Sequence, residues 1–179
     1  MAYDSSAGNY MQKQKDKNVF VTVGTTAFDG LINVFAAEET IQVLEEKGYT
    51  SVILQTGRGI SEPLSGQVGK VTVQHYQYKP NIQEDISSAD LVISHAGAGS
   101  CLETLGAGKP LLVVINSELM GNHQLELAKQ LHKDGHIYYC DCGSLLQTLR
   151  EINLDNLKPF KKGDPSKFAA FLDTKMGFS

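Results

Sequence analysis

Tryptophan is absent from this sequence, and 179 residues carry only three cysteines and five prolines. The cysteines, Cys101, Cys140 and Cys142, are odd in number, and the last two stand in a C-x-C spacing. That excludes a disulfide framework and reads as reduced thiols in a cytosolic setting. No apolar run approaches the roughly 20 residues that cross a bilayer, and residues 1–18 lack the apolar centre of a signal peptide, so the chain is not expected to anchor itself in a membrane. An excess of basic charge is missing as well: 16 Lys and Arg against 20 Asp and Glu leave a net charge of −4. Local patches such as Lys158, Lys161 and Lys162 aside, no nucleic-acid partner is expected. There is no D-x-D motif and no His/Cys/carboxylate cluster with metal-ligand spacing, so neither a metal nor another cofactor is expected.

What the chain does have is alternation. The sequence predicts a β-branched strand over 19–23, a turn at Gly24-Thr25-Thr26, and a helix over about 28–47 with Phe28, Leu31, Ile32, Phe35, Ile41 and Leu44 on its inner face. Gly48 stops that helix. Strands follow at 51–55 and 71–76, separated by a glycine-containing loop over 57–69, then a short helix over 81–88 and a strand over 91–94. A helix over 101–107, an apolar strand over 111–115, a helix over 122–133 and a strand over 137–140 complete the pattern. Parallel strands need crossovers, and helices supply them, so the fold class is α/β: a Rossmann-like parallel sheet with helices on both faces. The expected organisation is a flexible polar tail at 1–18, a sheet domain at 19–152, and a connection with a terminal helix at 153–179. In that helix, over 165–175, Phe168, Phe171 and Leu172 share one apolar side.

Ligands of such sheets gather at the carboxyl ends of the strands, which brings together the loops 24–26, 95–100 and 115–124. The second is a strand-to-helix turn suited to an anion: free N–H groups and the positive end of a helix dipole face the loop, and Gly97 and Gly99 let a ligand approach the backbone. His95 can donate a hydrogen bond to a diphosphate, Ser100 can offer its hydroxyl at the helix cap, and the Glu103 carboxylate can accept from paired sugar hydroxyls. The third loop opens its helix with Asn122, His123 and Gln124, whose carboxamides suit a hydroxyl-rich ligand. His123 is the one tempting local base, although a histidine at a helix start is more often solvated or capping. Cys101 reads as small core filler.

The spacing H-x-G-x-x-S-x-x-E, filled by His95, Gly97, Ser100 and Glu103, resembles the nucleotide-sugar motif in the C-terminal half of GT-B glycosyltransferases. Together with Phe-Val-Thr-Val-Gly-Thr-Thr at 20–26, Asp-Leu-Val-Ile-Ser at 90–94, Gly-Lys-Pro-Leu at 108–111 and Asn-His-Gln at 122–124, it resembles one eukaryotic family over most of the chain. That family is the catalytic subunit of the UDP-N-acetylglucosamine transferase of asparagine-linked glycosylation. The resemblance implies transfer from UDP-N-acetylglucosamine to dolichyl-diphosphate N-acetylglucosamine with inversion, at the cytosolic face of the endoplasmic reticulum. It implies His95 and Ser100 on the diphosphate, Glu103 on the ribose, Asn122 and Gln124 on the sugar, and Thr25 or Thr26 on phosphate. The Tyr76-Gln77-Tyr78 stretch can reach the uracil. The bacterial lipid II-forming transferase, a more distant relative, has an Asn-Ala where this chain has Leu127-Ala128, and Asn122 would have to replace that sugar contact. Since a GT-B enzyme has two such domains, the resemblance also implies a membrane-anchored partner subunit that brings the acceptor-binding half and the general base, docked in part by Phe168, Phe171 and Leu172.

Two other readings compete. One is a noncatalytic nucleotide-sugar-binding regulatory module. The other, a nicotinamide-dependent dehydrogenase, is disfavoured because Leu102 stands where the third glycine of the fingerprint belongs.

Overall fold

A computed structural model of the chain describes residues 15–117 and 122–160. The expected terminal helix with Phe168, Phe171 and Leu172 lies outside them, as do positions 1–14 of the expected tail.

Seven strands form one sheet in the order β3-β4-β2-β1-β5-β6-β7: β1 (Asn18–Thr22), β2 (Ser51–Gln55), β3 (Gly66–Val68), β4 (Val71–Tyr76), β5 (Leu91–His95), β6 (Leu111–Ile115) and β7 (Tyr138–Asp141). All neighbours run parallel except β3, which pairs antiparallel with β4 at one edge. Without that edge strand the order is that of a doubly wound sheet whose winding reverses between β1 and β5, where Val19–Thr22 pair with Leu91–Ser94.

Side-chain alternation sends each strand's residues into two separate cores. Val19, Val21, Leu91, Ile93, Leu112 and Val114 pack on one face with α1 (Asp29–Val34), α2 (Glu38–Glu46) and α6 (Leu145–Glu151). Phe20, Val92, Leu111, Val113 and Ile115 pack on the other with α3 (Gln83–Ser88), α4 (Ala98–Gly106) and α5 (Asn122–Lys133). Each large side chain so buried contributes about 1.5–3 kcal/mol, and the two clusters make a three-layer α/β/α domain, as expected.

Four expectations need correction. The sheet begins at Asn18, which pairs with Ser51 and whose N–H donates to the Asp90 carboxylate at 2.8 Å, so the expected tail loses its last residue to β1. The single helix over 28–47 is two, because the Phe35 carbonyl accepts from the Leu64 N–H at 3.0 Å and the Thr40 hydroxyl donates to the Val34 carbonyl at 2.6 Å. The 57–69 loop contains β3, turned back onto β4 through Gly69 at φ +59°. Finally, α6 follows β7 and packs Leu145 and Leu149 into the first core.

Candidate functional site

The winding reversal places the loop after β1 beside the loop after β5, and one side chain joins them. The His95 ring lies against Gly24, where a β-carbon would stand 3.0 Å from Cε1, and against Gly97, where one would stand 2.7 Å from Cε1 and closer still to Nε2. A side chain at either position would push the ring aside, and Gly24 calls for glycine on its own account, because its φ is +64°. The first loop is fixed from below. The buried Thr22 hydroxyl donates to Gln55 Oε1 at 2.6 Å and accepts from the Gly24 N–H at 2.9 Å.

Burial pulls the His95 imidazole below its ordinary value, partly opposed by the main chain of Thr22, so the ring is neutral at pH 7. Its Nδ1 is buried without a hydrogen-bond partner, the only such side-chain nitrogen or oxygen among the described residues. A buried nitrogen without a partner beside a helix start departs from the usual pairing of buried polar groups.

That helix, α4, begins at Ala98 with Gly97 as its N-cap in extended conformation, and no side chain caps it. Ser100 is thus not the cap that its position in the sequence suggests. It sits in the first turn, with its carbonyl accepting from the Thr104 hydroxyl at 2.8 Å. The uncapped N–H groups and the dipole favour an anion at this turn. Glu103 stands three residues beyond Ser100, exposed, so both can serve one ligand at the helix start. Gly99 is exposed, whereas Cys101 is buried behind the turn with its thiol pushed up to about 12 by burial, which suits filler rather than a nucleophile.

Thr25 and Thr26 are exposed on the first loop, and the Thr26 hydroxyl donates to the Val23 carbonyl at 2.9 Å. Thr25 also lines a cleft of about 560 Å³ with Gly57, Arg58, Gln77 and Tyr78. Of the stretch expected to reach a base, Gln77 and Tyr78 are on this wall, while the Tyr76 hydroxyl is tied to Asp85 at 2.5 Å. Gly57 and Arg58 were hidden in what reads as a featureless glycine loop. The available signal was their place directly after a strand end, level with Gly24.

The third loop follows β6. His95 is level with Val114 of β6, and Gln124 lies half-buried in the first turn of α5. The side chains of Asn122 and His123 lie outside the described residues. Of the remaining histidines, His75 and His132 are exposed, and His132 and His136 bond main-chain carbonyls at 2.9 and 3.1 Å, consistent with surface roles.

The comparisons with known proteins bear on the fold and the family. Over 126 residues, 70% of the chain, it is 60% identical to the human UDP-N-acetylglucosamine transferase subunit ALG13, a stretch that makes up only 11% of that protein's length. It is 30% identical to the subunit of the same name from Saccharomyces cerevisiae, over 88% of this chain and 95% of the yeast one. The NMR solution structure of ALG13 superposes with a TM-score of 0.68 at 29% identity, over 88% of this chain and 96% of that one. Acinetobacter baumannii MurG, at 19% identity and a TM-score of 0.64, shares the fold over 92% of this chain and 50% of its own. The glycosyltransferase family 28 C-terminal domain matches residues 18–175, from the first sheet residue to well past the last described one. With a doubly wound sheet and that match over most of its length, the chain belongs to the family of glycosyltransferase family 28 C-terminal domains.

Proposed function

We propose that this chain is the donor-binding subunit of a two-subunit glycosyltransferase that moves N-acetylglucosamine from UDP-N-acetylglucosamine to dolichyl-diphosphate N-acetylglucosamine. The observation that carries the reading is the His95 cradle: a neutral histidine with a buried, unpartnered nitrogen, set between Gly24 and Gly97 beside an uncapped helix. The relatives named as UDP-N-acetylglucosamine transferase subunits support the donor's identity.

In this reading His95 and the first turn of α4 hold the diphosphate, with Gly97 and Gly99 admitting it and Ser100 and Thr25 or Thr26 adding hydroxyls. Glu103 accepts from the ribose hydroxyls, and Asn122 and Gln124 hold the sugar. The reaction inverts the anomeric centre. It needs a base at the acceptor hydroxyl and stabilisation of the departing UDP, and this chain supplies the second. A membrane-anchored partner supplies the acceptor site and the base, His123 being the weaker local alternative, and recruits the chain to the cytosolic face of the endoplasmic reticulum. No metal takes part.

The test is reconstitution. Purified chain with UDP-N-acetylglucosamine and a lipid-diphosphate acceptor should be inert alone and active once the partner is added. Transfer by the isolated chain would remove the partner requirement. Binding of the donor with no transfer under either condition would favour the noncatalytic module.

A further inference from the structure

The positive charges of the described residues are distributed unevenly. Most are engaged or far from the carboxyl ends of the strands. Lys79 pairs with Asp85 at 3.1 Å, Arg150 with Glu39 at 2.8 Å, and Lys17 lies over the Tyr49 ring at 4.5 Å. Lys70 and Lys109 precede the amino ends of β4 and β6. Arg58 differs on both counts. It follows the carboxyl end of β2, it is exposed, and among the described residues it makes no ion pair.

Its main chain is nevertheless rigidly placed. The Arg58 N–H donates to the Thr26 carbonyl at 3.1 Å, and the preceding Gly57 N–H donates to the Gln77 carbonyl at 3.0 Å. Gly57, at φ +65°, lies so close to the Thr26 carbonyl that no β-carbon fits. Three loops are stitched together in this way around the 560 Å³ cleft that Arg58 and Thr25 share. Thr25 adjoins Gly24, which touches His95, so the cleft borders the cradle.

We propose that Arg58 is the cation that pairs with the diphosphate of the nucleotide sugar and takes up the charge it gains as the sugar departs. The proposal rests on the donor-site reading above and extends it to a residue outside the motif. During transfer the acceptor oxygen bonds to the anomeric carbon while the bond from that carbon to the β-phosphate oxygen breaks. The electron pair stays on the phosphate, and the hydroxyl proton goes to the base. The diphosphate therefore gains one negative charge. His95, whose burial disfavours the charged form, offers a hydrogen bond, and the start of α4 supplies the equivalent of about half a positive charge. A guanidinium remains charged at every working pH and meets phosphate oxygens with two parallel N–H bonds. An arginine without an acidic partner among the described residues, on a main chain hydrogen-bonded beside the anion site, is suited to that task.

Amide-shift titrations of the full chain with UDP and with uridine separate the possibilities. Arg58→Gln should weaken UDP binding roughly 10- to 100-fold, the range of a charge-assisted contact, and leave uridine binding unchanged, with Arg58→Lys recovering part of the loss. Equal losses for UDP and uridine would overturn the proposal, because the residue would then act on the nucleoside. So would unchanged UDP affinity in Arg58→Gln when Glu103→Ala weakens it, a result that leaves the donor site intact. Failure of the unaltered chain to bind UDP would overturn the proposal and the donor-site reading together.

Discussion

The two ends of the same strands are built differently. At the amino end polar groups satisfy one another. The Asn18 N–H meets Asp90, its carboxamide donates to the Ser88 carbonyl at 3.0 Å, and the Lys17 ammonium caps the Tyr49 ring and donates to the Lys47 carbonyl at 3.3 Å. A cavity of about 450 Å³ lies there as well, and three of its four charged lining residues, Lys17, Lys47 and Asp90, already have partners, Asp155 being the fourth. At the carboxyl end the ledger is open: His95 Nδ1 has no partner, α4 has no side-chain cap, and Arg58 makes no ion pair among the described residues. Cavity size is similar at the two ends. What separates structure from function here is which end has hydrogen-bonding capacity left over.

Substitutions at the two ends test that contrast. The largest effect is expected from Gly57→Ala, which forces a left-handed alanine into the Thr26 carbonyl. Strain of this kind costs about 1–3 kcal/mol, and calorimetric melting should show a fall of several degrees. At the cradle, His95→Ala should lower UDP affinity about tenfold or more, as loss of a hydrogen bond to a charged group implies, while circular dichroism stays unchanged. Equal affinity for UDP in titration would take His95 out of the site. At the opposite end, Lys17→Ala removes the hydrogen bond to the Lys47 carbonyl and a cation–π contact, the latter worth roughly 0.5–1 kcal/mol, and should leave UDP binding untouched. If it weakened binding, the two ends would not be independent.

The smallest effect concerns pH. Burial lowers the folded-state value of His95, so as pH falls the unfolded chain takes up this proton first. Its contribution to stability is level above the ordinary value of 6.5 and declines as pH drops from there through the folded value. Urea midpoints of the parent and His95→Gln should therefore converge in slope above that value, and the variant should lose less on acidification. A parallel decline in both would assign the pH dependence to other groups.

Much of the fold was legible because buried parallel strands announce themselves. The predicted strands at 51–55, 71–76 and 111–115 coincide with β2, β4 and β6, and the helix at 122–133 coincides with α5. The failures have specific causes. Apolar spacing continues through Phe35 and Ile41, so nothing local warns that the Phe35 carbonyl is taken by Leu64, a tertiary partner. Strand β3 has no alternating apolar pattern and exists because β4 offers it an edge, although the Gly69-Lys70 pair between Val68 and Val71 was a readable hairpin turn. Helix α6 was readable too, from Leu145, Leu146 and Leu149.

Within the site, motif spacing placed His95, Gly97 and Glu103 at one helix start. It could not show that Gly24 contacts the same imidazole, since that contact spans the pairing of β1 with β5. For the same reason it missed Arg58, whose significance comes from what its neighbours across the loops leave unneutralised. Ser100 was displaced from the cap because Gly97 adopts the extended conformation that ends the loop three residues earlier.

The seam between β1 and β5 also divides the sheet into the halves wound in opposite senses, and the imidazole sits directly above it. A ligand held there by both loops is a rivet through that seam: at a hundred times its dissociation constant it adds roughly 2.7 kcal/mol to the folded state. If the proposed donor is that ligand, its supply would then set how long each copy of the chain survives heat and proteolysis, and a simple melting curve would report whether the rivet is in place.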